Sequence, residues 1–377
     1  MSVSPRVCVV IVNWNGWSDT LECLESLFRT DYPDYRVVVC DNASDDGSLE
    51  RIQAWAEGRL EAPVSSSSPL RRLSSPPVPK PVPCVVHDLA SAGSHVGVNA
   101  ETRLELLAAG SNPGFAGGNN AALRLALARD DFEYAWLLNN DTAVEPDALG
   151  HLVSRMQASP EAGMCGSTLR FYEPPHDVQA YGGATYNRWF AVPSNVTRLR
   201  PGEKPAAVEP RLAYVMGASL LVSRSLLQEV GLMSEDYFLF FEELDWATRA
   251  APRYTLAYAP RSVVYHKGGR STGLSGRSIS RTADLYMNRS QLVYARRHTP
   301  WAIPFVFLRH LLVLANSVVR WRPARIPMLG RIYLDLLRGR YAERRGPHTP
   351  RGGGRAAPGG GIVPPRSGQD GTSDARR

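Results

Sequence analysis

Arg6–Asn13 reads RVCVVIVN, and Arg36–Asp41 reads RVVVCD. Both runs are short, unbroken and apolar, and neither alternates with polar residues, so each predicts a strand covered on both faces. Between them, Asp19–Phe28 sets Leu21, Leu24, Leu27 and Phe28 on one helical face, with Asp19 and Glu22 at the spacing of a capping box. Ser48–Ala56 predicts a second helix. Strand, helix, strand, helix in so short a span needs crossover connections, and therefore a parallel sheet.

Outward from this unit the pattern breaks and then resumes. Ala62–Pro83 reads APVSSSSPLRRLSSPPVPKPVP, and its Ser/Pro-rich composition predicts a disordered insertion over about 58–100, with room for a short strand in CVVHDLASAGSHVGV. Arg103–Ala108 predicts the next strand, and the loop GSNPGFAGGNN leads into a helix over Ala121–Ala128. Tyr134–Leu138 predicts a strand ending in Asn139-Asn140-Asp141, after which Pro146 suits the first position of a helix. Farther on, Tyr214–Val222 predicts a strand, Glu242–Ala251 a helix, and Thr255–Ala259 and Val263–Tyr265 short strands. From Trp301 to about Tyr341, apolar clusters interrupted by Arg predict two amphipathic helices, and the Gly/Pro-rich end predicts disorder.

Composition bounds the function. With 44% hydrophobic and 21% charged residues, the 377-residue chain is an ordinary globular protein of one large domain with appendages, or of two domains. Lys and Arg number 43 against 36 Asp and Glu, and the excess lies after Arg270. A basic C-terminal region suits an anionic membrane face at least as well as nucleic acid. Zinc spacing, RNA-binding aromatics and a helix-turn-helix are missing from the sequence, so no nucleic-acid partner is expected. Cys8, Cys23, Cys40, Cys84 and Cys165 form no CxxC pair and predict reduced thiols in a cytoplasmic protein. The N-terminus runs straight into a strand without the pattern of a signal peptide. The most apolar stretch, WAIPFVFLRHLLVLANSVVR, carries Arg309 and His310 at its middle, so no spanning helix is expected.

Ligands of open parallel sheets bind beyond the carboxyl ends of the strands. Asn13-Trp14-Asn15, Asp41-Asn42-Ala43-Ser44 and Asn139-Asn140-Asp141 all fall at such ends. Asp and Asn also favour turns for local reasons, but three clusters on one rim point to a site. The glycines of GSNPGFAGGNN match neither a P-loop nor a dinucleotide fingerprint; they permit close approach of the backbone to a ligand, or tight packing under the helix. In SEDYFLFFEELDWATRA, four aromatic residues lead into Glu242, Glu243 and Asp245 at a helix start. Acidic residues there complement the helix dipole. Glu242 and Glu243 project about 100° apart, so one can face a pocket as a general base while the other caps. His266 closes a strand before a Gly-rich turn, as a ligand would.

Taken together, VVIVNWNG, VVVCDNASDDGS, NPGFAGGNNAAL, WLLNNDTAVEPDAL, MGASLLVSR, YFLFFEELDWATR and VVYHKGGRSTG, in this order, resemble glycosyltransferase family 2, in particular its bacterial rhamnosyltransferase-like members. The resemblance implies an A-type glycosyltransferase fold, an α/β architecture with a Rossmann-like, mostly parallel sheet flanked by helices, here followed by C-terminal amphipathic helices. It implies a nucleotide-sugar-binding half over 1–145 and an acceptor and catalytic half over 146–300. The amphipathic region over 301–345 either lies at a membrane surface or packs on the catalytic domain, and the composition of 346–377 predicts a disordered tail. Asp41 takes the position that contacts the donor base, with Asn13, Asn42, Gly114, Gly117, Asn119 and Asn140 around the donor. Asn139-Asn140-Asp141 takes the place of the metal motif, with Asp141 the carboxylate ligand, Asn139 where an acidic residue often stands, and His266 a further ligand. Glu243 takes the base position where the family has Asp, which leaves Glu242 as the alternative.

The implied activity is inverting transfer of a sugar, rhamnose in this subgroup, from a nucleotide-diphosphate donor (dTDP-rhamnose or a UDP-sugar) to a hydroxyl of a cell-surface glycan or its lipid-linked precursor. Such polysaccharide or cell-wall biosynthesis takes place in the cytoplasm, peripheral to the inner face of the plasma membrane, with magnesium or manganese as cofactor. A non-catalytic nucleotide-sugar or glycan-binding module is the alternative, but it has no use for Asp141, Glu243 and His266 together. A nucleotidyltransferase starts with a basic Gly-rich loop after the first strand, and NWNGWSDT holds no Lys or Arg.

Overall fold

The computed structural model describes residues 4–89, 102–268, 280–319 and 325–338. The expectations for residues 90–101, for the end of the last motif after Gly268 and for the tail over 346–377 lie outside these residues. The opening unit is β1 (Val7–Asn13), α1 (Trp17–Leu27), β2 (Tyr35–Asp41) and α2 (Ser48–Ala56). The two strands pair in parallel with Asn13 opposite Asp41. Their unbroken apolar runs follow from being covered twice. Val7, Val9 and Ile11 pack with Leu21, Leu24 and Trp55 on one side, and Cys8 and Val10 pack with Ala122 and Leu125 on the other.

The chain continues through α3 (Arg71–Ser74), β3 (Cys84–Asp88), β4 (Leu104–Ala108), α4 (Gly114–Arg129), β5 (Tyr134–Asn139), β6 (Thr142–Val144), α5 (Ala148–Gln157) and β7 (Ala162–Phe171). It then forms β8 (Val178–Tyr181), β9 (Gly183–Asn187), β10 (Val192–Asn195), β11 (Tyr214–Val215), β12 (Ser219–Ser223), α6 (Arg224–Glu229), α7 (Glu242–Ala250) and β13 (Thr255–His266). Three helices close it: α8 (Arg281–His298), α9 (Ile303–Val319) and α10 (Arg325–Leu337). The main sheet has the order β3-β4-β2-β1-β5-β12-β7-β13-β6, with β8 on β7, and β10-β9-β11 form a small second sheet. From β3 to β5 every pairing is parallel, whereas β12 runs antiparallel to both β5 and β7. The β5–β12 pairing crosses the expected boundary at 145, so one continuous sheet serves both expected halves.

The expected disordered insertion is corrected over residues 58–89. β3 adds a parallel edge strand to β4, and Leu70, Leu73, Val78 and Val82 are buried. The segment builds no core of its own, which is why its composition reads as disordered; it completes one that α1 and α2 leave open. Glu25 on α1 is 1% exposed, and its carboxylate accepts from Trp55 Nε1 at 2.8 Å, Val78 N at 2.7 Å and Lys80 Nζ at 3.2 Å. Lys80 also sits 3.4 Å over the Trp55 ring. Two of those three donors come from the segment, so the buried charge on α1 ties it down.

Other expectations shift for local reasons. The capping box does not form: α1 begins after Gly16 with no side-chain cap, and Asp19 and Glu22 instead each meet Lys267 Nζ at 2.6 Å. Pro146 lies before α5 rather than in it, and its carbonyl accepts from Asp31 N and Thr30 Oγ1. Tyr214–Val222 divides into β11 and β12, which join different sheets, and the two predicted strands after Thr255 form one strand with a register shift between Ala259 and Val263. Helix α8 was not expected. The two amphipathic helices are α9 and α10, and no helix among the described residues is long and apolar enough to cross a membrane.

Candidate functional site

The polar rim forms where β1, β2 and β5 end together. Asn13 and Asp41 stand opposite each other in the parallel pair, and Asn13 Nδ2 donates to Asp41 Oδ1 at 2.6 Å. Ser44 donates to the same carboxylate from its backbone N at 2.9 Å and its hydroxyl at 2.6 Å. Asn13 Oδ1 accepts from Thr20 Oγ1 at 2.8 Å and from Asn140 Nδ2 at 3.4 Å. Asn140 Nδ2 also donates to Thr20 Oγ1 at 3.1 Å. The expected residues Asn13, Asp41 and Asn140 therefore form one buried network, with Thr20 at its centre. Buried polar groups hold position when each has a partner, and this network fixes the floor against which a ligand at the strand ends would lie.

The Gly-rich segment is helix rather than loop. α4 starts at Gly114, not Ala121, and its glycines admit protein atoms. Gly114 has φ +80°, and a Cβ there would overlap the Phe238 carbonyl, which accepts from Phe115 N at 3.0 Å. A Cβ on Gly117 would overlap Pro113, and one on Gly118 would come within 2.6 Å of Asn42 Oδ1. Asn42 Nδ2 in turn donates to the Gly114 carbonyl at 3.0 Å. Asn119 is buried and donates to the Phe115 carbonyl one turn back in its own helix, so Gly117 and Asn119 stand apart from the rim network. The glycines bring α4 hard against the end of β2 and against the aromatic segment before α7.

Asn139, Asp141 and His266 do come together. The His266 Nε2 atom lies 3.2 Å from Asp141 Oδ1 and 3.4 Å from Asn139 Nδ2. Its Nδ1 meets Gln179 Oε1 of β8 at 2.8 Å, which fixes the ring. Burial alone would push the His266 pKa down, but the Asp141 carboxylate outweighs it and holds the pKa above its ordinary value. Next in sequence, Lys267 donates its backbone N to the Asp141 carbonyl at 3.0 Å, and its ammonium reaches Asp19 and Glu22 on α1. One carboxylate, one imidazole and one amide make a donor set that fits manganese or magnesium once phosphate oxygens fill the remaining positions. No group of three or more His, Cys, Asp or Glu side chains placed to hold a metal ion occurs among the described residues.

The acidic pair begins α7. Phe240 and Phe241 precede it with φ +67° and +71°, a left-handed backbone that bulky residues seldom adopt and that concentrates at functional sites. Glu243 Oε1 accepts from Gly217 N at 3.1 Å, and a Cβ on Gly217 would overlap that oxygen. The neighbouring Ala218 carbonyl accepts from Asn139 N at 3.1 Å, so a single turn before β12 holds both the proposed base and the Asn139 position. Glu242 is 2% exposed, with a buried Oε2 that has no hydrogen-bond partner. Burial, and then the neighbouring Glu243, push the Glu242 pKa well above the carboxylate range; burial raises that of Glu243 too, against hydrogen bonds from backbone N–H groups. Both carboxyls are therefore held above the ordinary carboxylate range by burial, and Glu243 differs in accepting a hydrogen bond from Gly217 N. Asp245 faces elsewhere, bound to His298 at 2.7 Å and Arg249 at 2.8 Å.

Thr20, Gln179, Gly217 and Lys267 were not anticipated as parts of this site. The MGAS and HKGG motifs contain two of them, but nothing in the sequence marks Thr20 or Gln179.

A mostly parallel α/β sheet with its buried polar network at the carboxyl ends of β1, β2 and β5 defines the class. Residues 8–65 match the model for glycosyl transferase family 2. Among curated proteins, the N-acetylglucosaminyl-diphospho-decaprenol L-rhamnosyltransferase of Mycobacterium tuberculosis is 30% identical over 105 residues, 28% of this chain and 31% of that one. The low-salt glycan biosynthesis hexosyltransferase Agl10 of Haloferax volcanii is 23% identical over 145 residues, 37% of this chain and 44% of that one. The chain spans less than half the length of these relatives. Similar solved structures include the mannosyltransferase PcManGT of Pyrobaculum calidifontis in complex with GDP-Man and Mn2+, at 16% identity and a TM-score of 0.45 over 90% of this chain and 87% of that one. S. aureus TarS 1–349 gives 13% identity and a TM-score of 0.48 over 89% and 82%.

Proposed function

We propose that this chain is an inverting glycosyltransferase that moves a hexose from a nucleotide-diphosphate donor to a hydroxyl of a lipid-linked glycan precursor. The observation that carries the reading is Glu243: a carboxylate with a raised pKa, held by Gly217 on the turn that also positions Asn139, whose side chain meets the His266 ring paired with Asp141. In one in-line displacement, the acceptor oxygen bonds to the anomeric carbon as the bond to the diphosphate oxygen breaks. The hydroxyl proton passes to Glu243, and the diphosphate departs with the bonding electrons. A base whose pKa lies near the working pH suits that transfer.

Asp41, Asn13 and Asn42 form the floor under the donor base and ribose, and Asn140 braces that floor through Thr20. Gly114, Gly117 and Asn119 support it indirectly, by the close packing of α4. Asp141 and His266, with Asn139 beside them, would hold a magnesium or manganese ion, which when bound neutralises charge on the diphosphate leaving group. Rhamnose is the proposed sugar, supported by the mycobacterial relative and by the motifs the chain shares with rhamnosyltransferase-like sequences. The test is release of nucleoside diphosphate from dTDP-rhamnose and UDP-sugars in the presence of a lipid-linked acceptor. Turnover that is abolished by chelator and by Asp141→Ala supports the proposal. Robust turnover in excess chelator removes the metal from it.

A further inference from the structure

Helix α9 is amphipathic in the wrong sense for water. Its inward face carries His310, which meets Gln291 at 2.9 Å and Tyr333 at 2.9 Å, and Arg309, which donates to Gln291 at 3.1 Å. Its outward face carries Phe305, Leu308 and Leu312, which are 36%, 52% and 65% exposed. A neighbouring element adds to that face. The tip of the β9–β10 hairpin carries Trp189 and Phe190, both exposed. The Trp189 ring packs edge-on against Trp301 at 4.9 Å and Phe305 at 5.1 Å. Gln291 fixes the arrangement, because its amide donates to the Phe190 and Ala191 carbonyls while its oxygen accepts from α9. Large exposed apolar patches on a folded protein mark a surface that something covers.

We propose that Trp189, Phe190, Trp301, Phe305, Leu308 and Leu312 form a surface that docks into the headgroup layer of an anionic bilayer. Charge favours a lipid over a second copy of the chain. Residues 280–338 contain ten Arg and no Lys, against only Asp284 and Asp335, so two copies joined through this region would repel, whereas anionic lipid attracts it. Trp at the edge and Leu along the helix is the distribution of an interfacial helix, and α9 is not long and apolar enough to cross the membrane. Trp301 also lines a cavity of about 600 Å³ together with Leu244, Ala247 and Thr248 of α7, so docking brings that cavity, and with it the helix that bears Glu243, towards the lipid surface. The surface shares no residue with the donor rim and does not depend on the reading of that site.

The test is co-sedimentation of the full chain with vesicles of equal parts phosphatidylcholine and phosphatidylglycerol, beside vesicles of phosphatidylcholine alone. The unaltered chain should pellet with the anionic vesicles and be released by salt. Leu308→Glu with Leu312→Glu should weaken binding at least tenfold at an unchanged melting temperature, since both side chains are exposed. Trp189→Phe should reduce quenching of tryptophan fluorescence by brominated lipid, a readout independent of the charge change. A chain that stays in the supernatant, or glutamate variants that bind as tightly as the original, overturns the proposal. So does a dimer in solution that the same two substitutions convert to monomer.

Discussion

Replacing Lys80 by Met tests whether the Ser/Pro-rich segment belongs to the fold. Lys80 is 17% exposed and Glu25 1%, with Nζ 3.2 Å from Oε1. At that separation the attraction is about 5 kcal/mol for an effective dielectric near 20, partly offset by the cost of burying the ammonium, which lowers the Lys80 pKa against the pull of Glu25. Met fills similar volume and keeps contact with Trp55, so the lost term is the charge on Glu25 left with Trp55 Nε1 and Val78 N alone. Stranding a buried charge costs about 3–5 kcal/mol when no partner remains; with two donors retained, about 3 kcal/mol is expected. At about 2.1 cal/mol/K of unfolding entropy per residue over roughly 300 described residues, that lowers the melting temperature by about 5 °C, read by circular dichroism or scanning fluorimetry. Adding Glu25→Gln removes the stranded charge, so the double variant should be more stable than Lys80→Met alone. A single variant that melts with the unaltered protein, or a double variant less stable than the single, refutes the reasoning.

Deleting Ala62–Pro83 should abolish soluble expression, because it exposes the surface that Leu70, Leu73, Val78 and Val82 cover, at about 1.5–3 kcal/mol for each fully buried side chain; recovery of a stable soluble chain would return the segment to the status of a linker. Gly217→Ala should cost about a hundred- to ten-thousand-fold in transfer by displacing the Glu243 carboxylate, while donor affinity, read by thermal shift, changes little. Asp245 governs acid stability. Burial would raise its pKa, but His298 and Arg249 hold it down to about 2. A depressed carboxylate pKa stabilises the fold above the unfolded value and loses that stabilisation as pH falls through the folded one, here about 2–3 kcal/mol lost between about pH 4 and 2. Urea titrations across that window should show a shallower pH dependence for Asp245→Asn, and an unchanged slope would assign the effect to other groups.

What the sequence made legible follows from how far each signal reaches. The buried strands β1 and β2 announce themselves because being covered on two faces forces unbroken apolar runs, and their polar ends mark the rim because the two strands stop level. Asp141 and His266 were foreseen as partners through motif resemblance, not spacing, and their contact depends on β6 and β13 pairing across the sheet with His266 opposite Thr142. The Ser/Pro segment was misread because its order comes from Glu25 and Trp55, far away in sequence; no local property of Ala62–Pro83 encodes a partner on α1. The capping box failed for the same reason, since Lys267 competes for Asp19 and Glu22 and wins. The glycines of α4 were read as a loop because glycine opposes helix on propensity, yet their purpose is to let β2 and Phe238 approach. Gln179 orients His266 from a strand with no distinguishing pattern, and only the fold reveals it.

The central claim is that Glu243 takes the acceptor's proton. Glu243→Gln keeps shape but cannot accept it, and Glu242→Gln is the control at the neighbouring buried carboxyl, whose Oε2 has no hydrogen-bond partner. The decisive measurement is transfer of sugar from the nucleotide donor to a lipid-linked acceptor by these two variants, with donor binding followed in parallel. Glu243→Gln should lose transfer by about a hundred- to ten-thousand-fold while still binding donor, and Glu242→Gln should retain most of its activity. Full transfer by Glu243→Gln, or a dead Glu242→Gln beside an active Glu243→Gln, would contradict the account.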